Sequence, residues 1–197
     1  MLFNLPYFYI PFFYLLGAFP TGRLIARAHG VEISAHGSGN VGATNVGRII
    51  GKKAGLLTLI GDVAKGCLAV TLAAIVISTP SAPAIAAVLV VLGHCFSIPP
   101  LLKGGKGVAT GLGAITALAP TASLVSLMIF ILIYLRTKIV SLSALCAALV
   151  APLAALLLQI SDDRSYALMV IALIIITRHK DNIRRLIEGS EPRTTFK

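Results

Sequence analysis

Acidic residues are scarce in this sequence. Seven Asp and Glu stand against 17 Lys and Arg, a formal net charge of +10, and charged residues of both signs make up only 12%. A soluble domain carries about 25%. Tryptophan is absent, so Tyr7, Tyr9, Tyr14, Tyr134 and Tyr166 are the only polar-tipped aromatics available as interface anchors. There are three cysteines, Cys67, Cys95 and Cys146, all within apolar segments. The odd count excludes a simple disulfide framework and the spacing suits no metal, so they read as small buried hydrophobes. No cationic segment precedes the first apolar run, and a cleaved signal peptide is not expected.

What the sequence does have is apolar surface. Hydrophobic residues make up 57% of the chain and its mean hydropathy is +0.92, where soluble domains average about 45–50% apolar. The fold class expected is an all-α integral membrane protein, a single membrane-embedded domain over residues 1–197. In a soluble protein the positive charge would suggest nucleic acid. Among long apolar runs it marks cytoplasmic loops and an anionic ligand instead.

The apolar runs predict seven transmembrane helices. The first covers about Leu5 to Ile25, with Arg23 and Arg27 as topology charges at its inner end. A long loop from Arg27 to Lys53 follows. The second span, about Ala54 to Ser78, carries Asp62 and Lys65 one helical turn apart on one face, consistent with an ion pair that ties helices together. Residues 79 to 83 form an uncharged outer turn. The third, about Ala84 to Pro100, has His94 near its inner end, where a helix-packing role is expected. From Val108 to Leu135 the chain is uncharged with Pro120 in the middle. Two readings stand there: a compact hairpin of two short halves, about 21 Å each against a hydrocarbon core of about 30 Å, or a single long crossing. The sixth span is about Val140 to Ile160, and the last about Ser165 to Thr177, joined by an outer turn at Asp162, Asp163 and Arg164. With the hairpin, the N-terminus lies outside and the C-terminus is cytoplasmic. Of 17 cations only Arg164 then falls outside and Lys65 lies within a span, which leaves 15 inside.

This topology brings every polar motif to one face. The first is His36 to Arg48, with Gly37, Gly39, Gly42 and Gly47 among the small polar residues Ser38, Asn40, Thr44 and Asn45, closed by Arg48. Glycine backbone turns tightly and lets a ligand approach its N–H groups, and consecutive N–H groups form an anion site. Composition alone also allows a flexible linker. The second is Lys103 to Thr110, where Gly104, Gly105 and Gly107 bracket Lys106 at a helix start. Its physics is that of a phosphate loop, though the spacing is not a Walker motif. The third is the pair Ser141 and Ser143, which could also serve as helix caps. The fourth is the tail from Arg178 to Glu191, with His179 and Asn182. Glu188 and Glu191 there read as partners of Arg184 and Arg185 on a solvated helix. The inventory contains no covalent nucleophile and no metal cluster. It suits holding phosphates and stabilising developing negative charge, beside apolar spans that suit a lipid-like ligand.

Ser38-Gly-Asn-Val-Gly-Ala-Thr-Asn45, Gly104-Gly-Lys-Gly-Val-Ala-Thr110 and Arg178-His-x-x-Asn-Ile-Arg-Arg-Leu-x-x-Gly-x-Glu191 resemble the three signature motifs of the bacterial acyl-phosphate:glycerol-3-phosphate acyltransferases. Asp62-Val-Ala-Lys65-Gly66, Gly93-His94 and Val140-Ser141-Leu-Ser143 are also similar to that family, and the likeness runs nearly the whole chain in order. Departures at Ser97-Ile-Pro99 and Lys103 are peripheral. The resemblance implies a multi-pass enzyme of the bacterial plasma (inner) membrane, with its active site facing the cytoplasm. It would transfer a fatty acyl group from acyl phosphate to glycerol 3-phosphate, giving lysophosphatidic acid and inorganic phosphate. By the resemblance, Ser38, Gly39, Asn40 and the glycine N–H groups, with Gly104, Gly105 and Gly107, cradle the acyl phosphate. Arg48, Lys106, Ser141 or Ser143, His179 and Asn182 hold glycerol 3-phosphate, with Thr44 and Asn45 in the same site. Catalysis rests on His179, Lys106 and Ser38, the base being His179 or an oxygen of the departing phosphate. No cofactor, metal, nucleic acid or obligate protein partner is implied. The rival classes are a small-anion transporter, which interrupted apolar segments would suit, and a membrane scaffold, which leaves the glycine loops unexplained.

Overall fold

The computed structural model describes residues 9–97 and 104–194. Tyr7, the beginning of the first expected span at Leu5, the end of the third at Pro100, and the departures at Pro99 and Lys103 lie outside the described residues.

The described chain is built of α-helices with no strand. The first apolar run is shorter than hydropathy alone implies. Helix α1 covers Tyr9–Ala18, and Pro20 stops it, because proline supplies no N–H and disfavours a helical residue before it. The chain restarts as α2, Thr21–Ala28. The expected span to Ile25 is therefore two elements, and Arg23 is buried rather than a solvated topology charge. The glycine-rich loop leads into α3, Ala43–Ile49. Gly51, at φ 132°, turns the chain into α4, Lys52–Val76. Its 25 residues span about 37 Å.

Then come α5, Ala82–Phe96, α6, Val108–Leu118, and α7, Pro120–Thr137. Between α6 and α7 the helix breaks at Ala119, since Pro120 suits the first position of a new helix, where its missing N–H is no loss. Thr116 Oγ1 and Ser123 Oγ meet at 2.8 Å across the break. Tyr134, near the end of α7, lines the same cavity as Lys106 ahead of α6. The chain doubles back at Ala119, and a single long helix does not form. The halves are unequal: α6 has 11 residues, about 16 Å, and α7 has 18. The remaining helices are α8, Val140–Leu157, α9, Asp162–Arg178, and the short α10, Lys180–Ile187. Helices α6 and α9 run antiparallel. Arg164 at the start of α9 donates to Leu118 O at 3.2 Å, and Arg178 at its end reaches the carbonyls just before α6.

Helices α4, α7 and α8 are long and apolar enough to cross a bilayer by themselves, while α5 and α6 are shorter apolar helices. The interior is packed with small residues, Ala69, Ala73, Ala86, Ala87, Ala114, Ala122 and Ala155 among them, while Leu57, Ile60, Leu68, Ile75, Leu132 and Leu173 face outward. In water such a surface would be an aggregation site; in lipid it is the solvated side. Small interior residues let helix backbones touch. Where α4 meets α6, a Cβ on Gly113 would lie 2.0 Å from Val63 O and one on Gly66 2.2 Å from Thr110 O. This contact fixes α6, and with it the Lys106 loop, against α4.

Candidate active site

The loop from His36 to Asn45 is organised by Asn45, which is 2% exposed. Its Nδ2 donates to His36 O at 3.0 Å and to Asn40 O at 2.9 Å, and its Oδ1 accepts from Ser38 N at 3.0 Å. Asn40 Oδ1 in turn accepts from Gly42 N at 2.8 Å. Gly37 and Gly39 take φ of 59° and 67°, the left-handed region that disfavours a side chain. The loop is thus a fixed turn and not a flexible linker. Asn45 was grouped with the binding residues from sequence, but its hydrogen-bonding groups are engaged in shaping the loop. Gly39 shapes the same turn and does not reach the cavity wall.

The second glycine loop lies on the end of α5. Gly105 N donates to His94 O at 3.0 Å. On the other side Arg178 donates from Nε to Gly105 O at 3.1 Å and from Nη2 to Gly104 O at 3.2 Å, with its guanidinium over the Phe96 ring. Arg178 is therefore a clamp on this loop. Gly104 and Gly105 form the seat beneath Lys106 and do not line the cavity, because their backbone is pressed onto α5.

Lys106 Nζ donates to Asn182 Oδ1. Asn182 Nδ2 donates to Glu191 Oε1 at 2.6 Å, Ser141 Oγ to the same oxygen at 2.7 Å, and Arg185 Nε to Glu191 Oε2 at 2.7 Å. Glu191 is therefore a hub that joins α8, α10 and, through Asn182, the Lys106 loop. The charge balance with Arg185 expected from sequence is present, but not on a solvated helix: Glu191 lies beyond the end of α10 and its side chain is 6% exposed. Burial alone would raise its pKa, but the hydrogen bonds from Ser141, Asn182 and Arg185 outweigh that and hold it below the usual carboxylate range. Glu188 does pair with Arg184, at 2.9 Å on the exposed face. What the sequence did not show is that Glu191 also gathers Ser141 and Asn182 into one network. The six-residue spacing of Arg185 and Glu191 carries no helical signal, since the chain leaves α10 before Glu191 and folds back.

His179 is 2% exposed, at the junction of α9 and α10. Its Nδ1 donates to Ile175 O at 2.7 Å, so the proton sits on Nδ1 and Nε2 keeps its lone pair. Burial pushes its pKa down to about 4, the Ile175 contact opposes this, and the Lys106 cation lowers it further. The ring is neutral at neutral pH. Burial likewise lowers the pKa of Lys106, against the attraction of Glu191.

These groups open on one cavity of about 570 Å3, within the about 300–1,000 Å3 usual for a small-molecule site. Its polar end holds Ser38, Asn40, Thr44, Asn45, Arg48, Lys106, Gly107, Ser141, His179 and Asn182, joined by Lys52, Arg185 and Glu191. Its other walls are apolar: Leu56 and Leu59 of α4, Leu112 and Ile115 of α6, Leu127 and Phe130 of α7, Ala148 and Ala151 of α8. Ser143 does not belong to it. It is fully buried and donates to Ile139 O of its own helix at 2.8 Å.

A cavity with a cationic head and a long apolar body matches what known proteins of similar sequence do. The family model for glycerol-3-phosphate acyltransferase matches residues 7–189. The glycerol-3-phosphate acyltransferase of Trichlorobacter lovleyi is 44% identical over 184 residues, covering 93% of this chain and 95% of that protein. That of Endomicrobium trichonymphae is 45% identical over 184 residues, covering 93% and 92%. A crystal structure of PlsY (YgiH), an integral membrane glycerol 3-phosphate acyltransferase in its glycerol 3-phosphate form, superposes with a TM-score of 0.89 at 37% identity, covering 95% of this chain and 94% of that one. The lysophosphatidic acid form of that protein gives 0.87 at the same 37% identity. The transporter and scaffold readings fall away, and this chain belongs to the glycerol-3-phosphate acyltransferase family.

Proposed function

We propose that this protein transfers a fatty acyl group from acyl phosphate to a hydroxyl of glycerol 3-phosphate, at the cytoplasmic face of a bacterial inner membrane it crosses seven times. The observation that carries the donor assignment is the continuity of the cavity. Cations and amides at one end suit two phosphates, and the apolar walls suit an acyl chain still seated beside lipid. A donor with a bulky soluble carrier would need a recognition surface that this cavity does not require.

The chemistry needs no covalent enzyme intermediate. An acyl phosphate is a mixed anhydride whose phosphate leaves readily, so positioning and charge stabilisation supply the catalysis. Arg48, Lys106 and Arg185 offset repulsion between the two substrate anions. Lys106 and Gly107, seated on Gly104 and Gly105, hold the acyl phosphate with Ser38 and Asn40. Ser141, His179 and Asn182 hold glycerol 3-phosphate. The non-reacting hydroxyl of glycerol 3-phosphate donates to His179 Nε2, which turns the reacting hydroxyl's oxygen towards the acyl carbon and leaves its proton facing the acyl phosphate. As the new C–O ester bond forms and the anhydride C–O bond breaks, the hydroxyl proton passes to an oxygen of the departing phosphate. A phosphate with a second ionisation near about 6 is a better proton sink than an imidazole held near 4.

The test is purified protein in detergent or nanodiscs, given acyl phosphate and labelled glycerol 3-phosphate, with acyl-coenzyme A in a parallel reaction. Labelled lysophosphatidic acid from acyl phosphate alone is expected. Product only from the thioester would overturn the donor assignment.

A further inference from the structure

Beneath the Gly104–Lys106 loop lies a buried charged cluster that the reaction described above does not use. Lys65, 6% exposed, projects from the middle of α4. An ammonium has three donors and no acceptor: Lys65 Nζ donates to Phe19 O at 3.0 Å and to His94 Nδ1 at 2.9 Å, and it is ion-paired with Asp62 Oδ1 at 2.9 Å. Because Lys65 can only donate, His94 Nδ1 is the acceptor and the ring proton sits on Nε2. Asp62 Oδ1 lies 3.7 Å from the same ring nitrogen. The imidazole is thereby fixed in both tautomer and orientation.

The other edge of that ring faces the catalytic loop. A Cβ on Gly105 would lie 2.1 Å from His94 Nε2, so the Gly105 backbone rests directly on the ring. Gly105 N is hydrogen-bonded to His94 O, and its carbonyl is held from the opposite side by Arg178. A trans peptide points its N–H opposite to its C=O, so fixing the Gly105 carbonyl also fixes the direction of the Lys106 N–H. Simple helix tying does not require this arrangement. An ion pair between α4 and its own turn would do without the ring, and three charged or polar side chains inside an apolar span are costly. Asp62 and His94 also form part of the cavity wall, which places the cluster between the apolar core and the phosphate end.

We propose that Asp62, Lys65 and His94 act as a positioning relay, in which Lys65 locks the His94 ring and the ring supports the Gly105 backbone so that Lys106 meets the phosphate of the acyl phosphate in register. The proposal rests on the acyl-phosphate reading above. None of the three is a catalytic residue; they act through the loop.

The experiment measures kcat and KM for both substrates per folded molecule, with folding checked by size exclusion and Tm. His94→Ala removes the support and is expected to lower kcat at least tenfold. His94→Gln, whose amide reaches the position of Nε2, is expected to recover most of that loss. Lys65→Met alone would leave Asp62 buried without its cation and could fail to fold, so the pair Asp62→Asn with Lys65→Met replaces it. This double variant is expected to lower kcat by a similar factor, and adding His94→Ala to it is expected to lower kcat little further, because the three share one effect. Wild-type kcat in folded His94→Ala, or losses that multiply in the triple variant, would overturn the relay. Loss of protein yield with normal kcat in the folded fraction would show a purely structural cluster. An inactive wild-type protein would instead overturn the acyl-phosphate reading itself.

Discussion

Lys106 is the residue whose surroundings most directly imply an anion. Its ammonium is half-buried, its neighbours on both sides are glycines, and it stands ahead of the N-terminus of α6, where the helix dipole disfavours a cation. A bound phosphate resolves that conflict. Lys106→Ala is expected to leave the protein folded, since the loop adds little to apolar packing, and to lower kcat/KM at least about a hundredfold, the scale of one charge-assisted contact of about 3 kcal/mol. Near-normal kinetics would separate the loop from the chemistry. His179 offers a prediction in pH. An unfolded imidazole titrates near about 6.5, while burial holds the folded one at about 4. The folded pKa is the lower one, so as pH falls from 6.5 towards 4 the unfolded chain takes up a proton that the folded one refuses, and stability drops over that window. The Tm advantage of wild type over His179→Gln should therefore shrink between pH 7 and 4 and then level off. A difference independent of pH would mean that His179 is not held neutral.

At the scale of elements, the site depends on how α8, α10 and the returning tail are fastened to one another. Glu191 carries that fastening through Ser141, Asn182 and Arg185. Glu191→Ala leaves three donors without their acceptor and frees Asn182 from its orientation towards Lys106. The expected result is a lower Tm and a KM for glycerol 3-phosphate raised about tenfold, corresponding to about 1.4 kcal/mol of lost positioning. Glu191→Gln keeps an acceptor for Ser141 and Asn182 but not the charge that pairs with Arg185, so its KM should fall between the two. Equal kinetics in wild type and Glu191→Ala would show that the tail is dispensable to the site.

At the scale of the whole molecule, the outward leucines and isoleucines define the lipid-facing side, and Arg48, Lys52, Lys106 and Arg185 line the cavity's polar head. The seven-span arrangement proposed above puts those cations on the cytoplasmic side, in line with the positive-inside rule. Thr121 sits at the α6–α7 turn, and that turn is at the far end from Lys106. In the arrangement proposed, a cysteine placed at Thr121 should be labelled from outside the cell, and one near Gly189 only after the membrane is opened. Labelling of position 121 from the cytoplasmic side alone would make α6 and α7 a re-entrant hairpin, which the 11-residue length of α6 accommodates.

The membrane class, the helical architecture and the convergence of glycine loops with Lys106, His179 and Asn182 were legible in the sequence. They depend on composition, on hydropathy over windows of 20 residues and on local turn chemistry, all of which are short-range properties. The break at Pro20 was legible too, in the proline itself, but hydropathy averaged across it. What only the tertiary structure decided is which polar groups face the cavity and which hold its walls. Arg178 and Ser143 have the same chemistry as the polar groups that line the cavity, and only their partners show that they are occupied within the protein; Asn45 lines the cavity while its amide holds the loop's shape. Glu191 and Lys65 were ambiguous for the opposite reason. The partners that give them a role lie 50 residues away at Ser141 and 29 away at His94, and no local pattern encodes a hydrogen bond across that separation. The direction of α7 was likewise open from sequence. Pro120 allows both a kinked crossing and a reversal, and the packing of α7 against α8 and the shared cavity wall at Tyr134 select the reversal.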